Sequence, residues 1–194
     1  SLINRAISDG AQIISIPSSD EGTDEATKWA IARANAQGVI IVSPMGNDAK
    51  DETLDTYSKW SGVVGVSAID TTGKVASYSS WGQGTTVAAV GGPVVLHNYE
   101  SGNKGFTDGT SNSVPLVAGF LALAKQKWPN ATSNQLLQLL TKTARTDQNG
   151  WNTYIGYGAV DPGAMINTDP SQYPDENPLM DPTKHRGPTV DEIQ

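Results

Sequence analysis

The sequence predicts an α/β fold: a mostly parallel sheet flanked by helices. Two patterns carry this expectation. Short apolar runs alternate with segments of helical period, the order that builds parallel sheets. Residues 39–43 (VIIVS) also form an unbroken apolar run, as strands buried on both faces do. The chain has 194 residues and no cysteine, so one domain must be held by packing alone.

Residues 1–8 (SLINRAIS) read as a helix leading straight into a strand at residues 12–16 (QIISI). No strand precedes that helix, so the chain reads as beginning inside a βαβ unit, a piece of a larger domain. Residues 24–37 place Ala26, Trp29, Ala30 and Ala34 at helical spacing, with Gly38 suited to the position after the helix end. Residues 63–69 (VVGVSAI) and 86–90 (TVAAV) continue the strands of the sheet. Residues 115–127 are apolar nearly all round and read as a central buried helix. Residues 132–143 open with a Thr132–Gln135 capping box and carry Leu136, Leu137, Leu139 and Leu140. After residue 167 the composition changes. Pro170, Pro174, Pro178, Pro182 and Pro188 recur among acids and small polar residues, so residues 168–194 read as a linker or an extended tail lying on the domain of residues 1–167.

Composition excludes several function classes. With 20 acidic and 13 basic residues the net charge is −7, which disfavours nucleic acid as a partner. No apolar run approaches the ~20 residues of a membrane span, and no basic-then-apolar signal peptide opens the chain. The absence of cysteine removes thiol nucleophiles and Cys-based zinc sites. The two histidines, His97 and His185, cannot build a multi-histidine metal site.

Two segments could carry chemistry. In residues 108–119 (DGTSNSVPLVAG) a small turn runs into the central helix, with Pro115 expected in its first turn. Ser111 then sits at a helix N-terminus, where unpaired N–H groups and the helix dipole favour developing negative charge. A plain N-cap role suits Ser111 equally well. In residues 39–48 a buried strand ends in a turn through Pro44, Met45 and Gly46 to Asn47. Functional groups of parallel sheets lie beyond strand C-termini, and an Asn side chain there can donate to an oxyanion. A turn asparagine beside Gly is the simpler reading.

Taken in order, residues 12–18, 38–47, 62–82, 109–119, 132–144 and 156–162 resemble the subtilisin-like serine peptidases, the subtilases. The Gly-Thr-Ser-x-x-x-Pro-x-Val-Ala-Gly block at residues 109–119 is the most specific part. The resemblance covers about the C-terminal two-thirds of a subtilase catalytic domain. It implies a serine endopeptidase with Ser111 as nucleophile and Asn47 as side-chain oxyanion donor, beside the Ser111 N–H. It places Thr110 on a supporting hydroxyl. It places Ser15, Ile16 and Pro17 on the segment that pairs with substrate backbone, and Ser43, Pro44 and Gly46 on the wall of the pocket for the residue before the cut bond. Pro17, Met45, Asn112, Ser113, Val114 and Leu116 depart from common family residues, which leaves substrate preference open.

The resemblance also implies what these residues lack. Subtilase triads run Asp, His, Ser along the chain, so both partners of Ser111 are expected upstream, in a missing N-terminal part on the same or a separate chain. Asp70 imitates the family's Asp motif but stands after Asn47, in a later strand and turn. His97 and His185 read as a strand-end and a tail residue. A serine without a base is a poor nucleophile, so this segment alone is expected to be inactive. The chemistry implied needs no cofactor; structural calcium is common in the family, and no ligand set is named. The implied partner is a protein or peptide substrate, and the implied location is extracellular or at the cell surface. Two other readings stay open: an inactive subtilase-like binding or scaffold module, and a membrane-associated processing peptidase of the mycosin type.

Overall fold

The computed structural model describes residues 1–19, 22–147 and 149–193. Its centre is a four-stranded parallel sheet in the order β1 (Ile13–Ser15), β2 (Ile40–Pro44), β3 (Val63–Ile69), β4 (Thr85–Val90). Helices α1 (Leu2–Ser8) and α2 (Glu25–Ala36) cover one face; α3 (Thr110–Lys127), α4 (Ser133–Lys142) and α5 (Pro162–Asn167) cover the other. The two-residue period of the strands divides the core between these layers. Ile40, Val42, Val64 and Val66 pack towards α3 and α4, while Ile41 and Val63 pack with Ile3, Ile7, Ile31 and Trp60. The expected α/β class is therefore present, with β2 and β3 fully buried.

Local chemistry sets the helix limits. Asp24 caps α2 by accepting from the Thr27 N–H at 2.9 Å. The Thr132–Gln135 box caps α4 in both directions, at 3.1 Å each way.

Helix α3 differs from expectation twice. It begins at Thr110, so Pro115 is its sixth residue and lies beyond the first turn. The N–H that Pro115 lacks is the one that would bond the Ser111 carbonyl. Nor is α3 buried all round. Val114, Val117, Leu121 and Ala124 face the sheet, but Leu116, Gly119, Ala122 and Leu123 are exposed along its outer side. Periodicity alone does not distinguish an apolar helix buried within this segment from one with an exposed apolar side.

An antiparallel hairpin, β5 (Val94–His97) with β6 (Lys104–Thr107), follows β4 and was not foreseen as a pair. All four residues of β5 are exposed.

The C-terminal residues lie against the body. Leu179 is 1% exposed in the α3–α4 core, and its carbonyl accepts from Gly62 N–H at 3.0 Å. A last short helix, α6 (Val190–Ile193), brings Glu192 to Lys28 of α2 at 3.1 Å. His185 is 7% exposed, and burial pushes its pKa down to about 4, Lys184 adding to the shift and Asp181 opposing it. The folded chain thus holds His185 neutral where the unfolded chain protonates it. Stability is retained above pH ~6.5 and lost as pH falls towards ~4, by about 3 kcal/mol. Urea unfolding at pH 7 and pH 4.5 checks this: the stability lost between them should shrink in His185→Phe.

Candidate active site

The C-terminal ends of β2 and β4 and the start of α3 meet at one place. At the end of β2 the chain turns through Gly46 at φ 110°, a conformation that favours glycine. Ser80 clamps this turn: its N–H donates to the Gly46 carbonyl at 2.8 Å, and its hydroxyl accepts from Asp48 N–H at 3.1 Å. The turn projects Asn47 to the surface. After β4, Gly109 N–H donates to the Gly91 carbonyl at 2.9 Å, which fixes where α3 starts.

Thr110 ties the two segments together. Its backbone N–H and its hydroxyl both donate to Asn47 Oδ1, at 2.8 and 2.9 Å. The same hydroxyl accepts from Gly46 N–H at 3.2 Å. With Oδ1 held by two donors, the amide has one orientation and Nδ2 is the end left to donate. Ser111 follows as the second residue of α3, half-buried, where backbone N–H groups have no intrahelical acceptor. Gly109, not Ser111, occupies the N-cap position, so the simple capping role does not fall to this serine. A Cβ built on Gly109 would lie 3.3 Å from both Asn47 Nδ2 and Ser111 Oγ. The amide donor and the hydroxyl therefore border the same small space. A carbonyl placed there would have a hydroxyl on one side and a donor for its oxygen on another, two of the elements that acyl transfer uses.

Residues expected around this centre fall as follows. Ser43 and Pro44 are buried within β2, and Gly46 is buried at the turn. Ser15 and Pro17 are exposed and Ile16 is half-buried, at the sheet edge formed by β1. Ile16 N–H donates to the Val42 carbonyl at 2.9 Å, continuing the pairing one residue past β1. Asn112 and Ser113, which depart from family residues, bind α3 to the end of β4: their side chains donate to the carbonyls of Gly91 and Ala89 at 3.0 and 2.9 Å. Asp70 serves its own turn, accepting from Thr72 and Lys74, and the Thr72 hydroxyl chiefly lowers its pKa. His97 pairs with Lys104 at the far end of the hairpin whose near end is Val94–Thr107, roughly 10 Å further along at ~3.3 Å per residue. His185 is on the C-terminal segment. Among the described residues neither histidine is brought to Ser111 by a hydrogen bond, and no cluster of three or more His, Cys, Asp or Glu could hold a metal ion.

Ser80 and Tyr78 complete the surroundings and were not singled out from sequence. The Tyr78 ring reaches the Gly91–Gly109 junction; burial, then the Asp108 charge, raise its pKa. No spacing signal marks either residue, because each acts through backbone contacts made only in the fold.

Comparisons with known proteins point to one family. The model of the subtilase family matches residues 1–158. The thermostable alkaline protease of Halalkalibacterium halodurans is 32% identical over 155 residues, 79% of this chain and 40% of that protein. Subtilisin DY of Bacillus licheniformis is 30% identical over 161 residues, 81% of this chain and 58% of its own length. Fervidolysin of Fervidobacterium pennivorans, a keratinolytic enzyme related to subtilisin, superposes with a TM-score of 0.73 at 29% identity, over 86% of this chain and 28% of its own. The chain thus spans about half the length, or less, of these relatives.

Proposed function

Because the chain belongs to the subtilase family, we propose that the complete protein is a serine endopeptidase with its nucleophile at Ser111. The observation that carries this reading is the shared space beside Gly109, bordered by the Ser111 hydroxyl and the Asn47 amide. A histidine outside these 194 residues, oriented by an aspartate, takes the Ser111 proton as Oγ attacks the peptide carbonyl. The oxyanion accepts from Asn47 Nδ2 and the Ser111 N–H. The histidine then passes the proton to the leaving amine, and water releases the acyl group by the same steps in reverse order of roles. No cofactor takes part. Structural calcium is common in the family, and among the described residues no group of three or more His, Cys, Asp or Glu could hold a metal ion.

The substrate is a protein or peptide. Its backbone lies along Ser15, Ile16 and Pro17 by strand addition, with Pro17 contributing no N–H. The residue before the cut bond packs by Ser43, Pro44 and Gly46. The remaining N-terminal part of the catalytic domain is the other partner. The exposed apolar side of α3 suits it. Family membership supports export to the cell surface or beyond. No helix among the described residues is long and apolar enough to cross a membrane, and the net charge of −7 argues against nucleic acid.

The complete polypeptide is expected to hydrolyse an unstructured protein such as labelled casein, and the isolated 194-residue chain is expected not to. Hydrolysis by the isolated chain that Ser111→Ala abolishes would overturn the need for a missing part. Folded, complete protein inert towards casein would favour an inactive binding module.

A further inference from the structure

Resting on the reading of Ser15, Ile16 and Pro17 as the substrate-pairing segment, we infer that Trp60 is a positioning residue for that segment, held in turn by the C-terminal residues. Beyond Ile16 the chain leaves the sheet, and Pro17 has no N–H with which to continue the ladder. Helix α2 starts at its cap Asp24. Gly22 and Thr23, just before that cap, are gripped from outside the sheet, and Ile16 packs against the apolar cluster that contains Trp60. Trp60 Nε1 donates to the Gly22 carbonyl, and Lys59 Nζ donates to the Thr23 carbonyl at 3.0 Å. Gly22 lies so close to Tyr57 that a Cβ would clash with its ring. Trp60 itself is buried among α1 and α2 residues, with the Lys59 ammonium 4.3 Å over its ring.

The opposite side of the same short segment is bound by the C-terminus. Arg186 N–H donates to the Lys59 carbonyl at 2.7 Å, and the Arg186 carbonyl accepts from the Ser61 N–H and hydroxyl at 2.9 and 2.7 Å. Trp60 and Arg186 pair as a parallel bridge. These C-terminal residues lie beyond the 1–158 match to the family. A peptide that adds a strand to β1 binds best when the receiving backbone is already ordered, since ordering it on binding subtracts from affinity. Trp60 supplies that order without touching the reacting atoms.

The test uses the complete polypeptide, with labelled casein and p-nitrophenyl acetate as substrates. The acetate ester has no residues before its acyl carbon and cannot reach residues 15–17. Trp60→Phe removes the indole donor and trims the buried ring system. It should raise KM for casein about three- to tenfold, with kcat within about twofold and ester turnover unchanged. Amide hydrogen exchange at residues 16, 22 and 23 should accelerate in the same variant. Ser61→Ala, which loosens the Arg186 contact, should shift KM in the same direction and supports the link to the C-terminus independently if Trp60→Phe folds poorly. Casein kinetics matching wild type in both variants, or equal losses on casein and ester, would overturn the inference while leaving the peptidase reading intact. A wild type inert towards both substrates would overturn both.

Discussion

Replacing Ser111 by Ala in the complete polypeptide should lower kcat for casein by roughly 10⁶-fold with little change in KM. That magnitude is the one known for loss of the nucleophile in a member of this family. The physical reason is specific to this position. Ser111 is the second residue of α3, half-buried, with its hydroxyl beside the space that Gly109 leaves open. Alanine is a good helix former and fills less volume, so the start of α3 and the Thr110–Asn47 contact should survive the change. Steady-state kinetics, with circular dichroism to confirm the fold, measure it. Retention of more than about a hundredth of wild-type kcat would mean that another group performs the attack.

Asn47→Ala should lower kcat by about 10²–10³-fold, again with a small effect on KM, because the amide donates mainly to charge that develops in the transition state. The fold holds the amide in one orientation. Both Thr110 donors hold Oδ1, so the amide cannot turn its oxygen towards the oxyanion. Truncation to Ala also leaves the Thr110 hydroxyl without that acceptor, so a loss of stability of about 1 kcal/mol should accompany the kinetic effect. An unchanged kcat in a folded Asn47→Ala variant would remove Asn47 from the oxyanion site.

Sequence reasoning reached some elements of this fold more easily than others. Residues 63–69 were legible as a strand because every side chain is apolar or small and every one is buried, so pattern and environment agree. The Thr132–Gln135 box was legible because its partners are three residues apart and need no tertiary context. The outer side of α3 was misread, since a helix that is apolar all round looks the same whether it is covered by its own segment or by another part of the protein. The C-terminal contacts were hidden for the opposite reason. Leu179 and Met180 are an isolated apolar pair in a polar stretch, and the anchors at Lys59, Ser61 and Gly62 are mostly backbone groups. At the candidate site, Ser111 and Asn47 stood out by motif. Thr110, 63 residues from Asn47, reveals its bridging role only when β2 and α3 are brought together.

The most direct test of the peptidase assignment is to treat the complete, folded polypeptide with a fluorophosphonate and map the adduct by mass spectrometry. A phosphonyl adduct on Ser111, absent in Ser111→Ala, is the expected result, because only a serine with a working base and oxyanion site reacts readily. An unmodified Ser111 in folded wild-type protein would contradict its assignment as an active nucleophile.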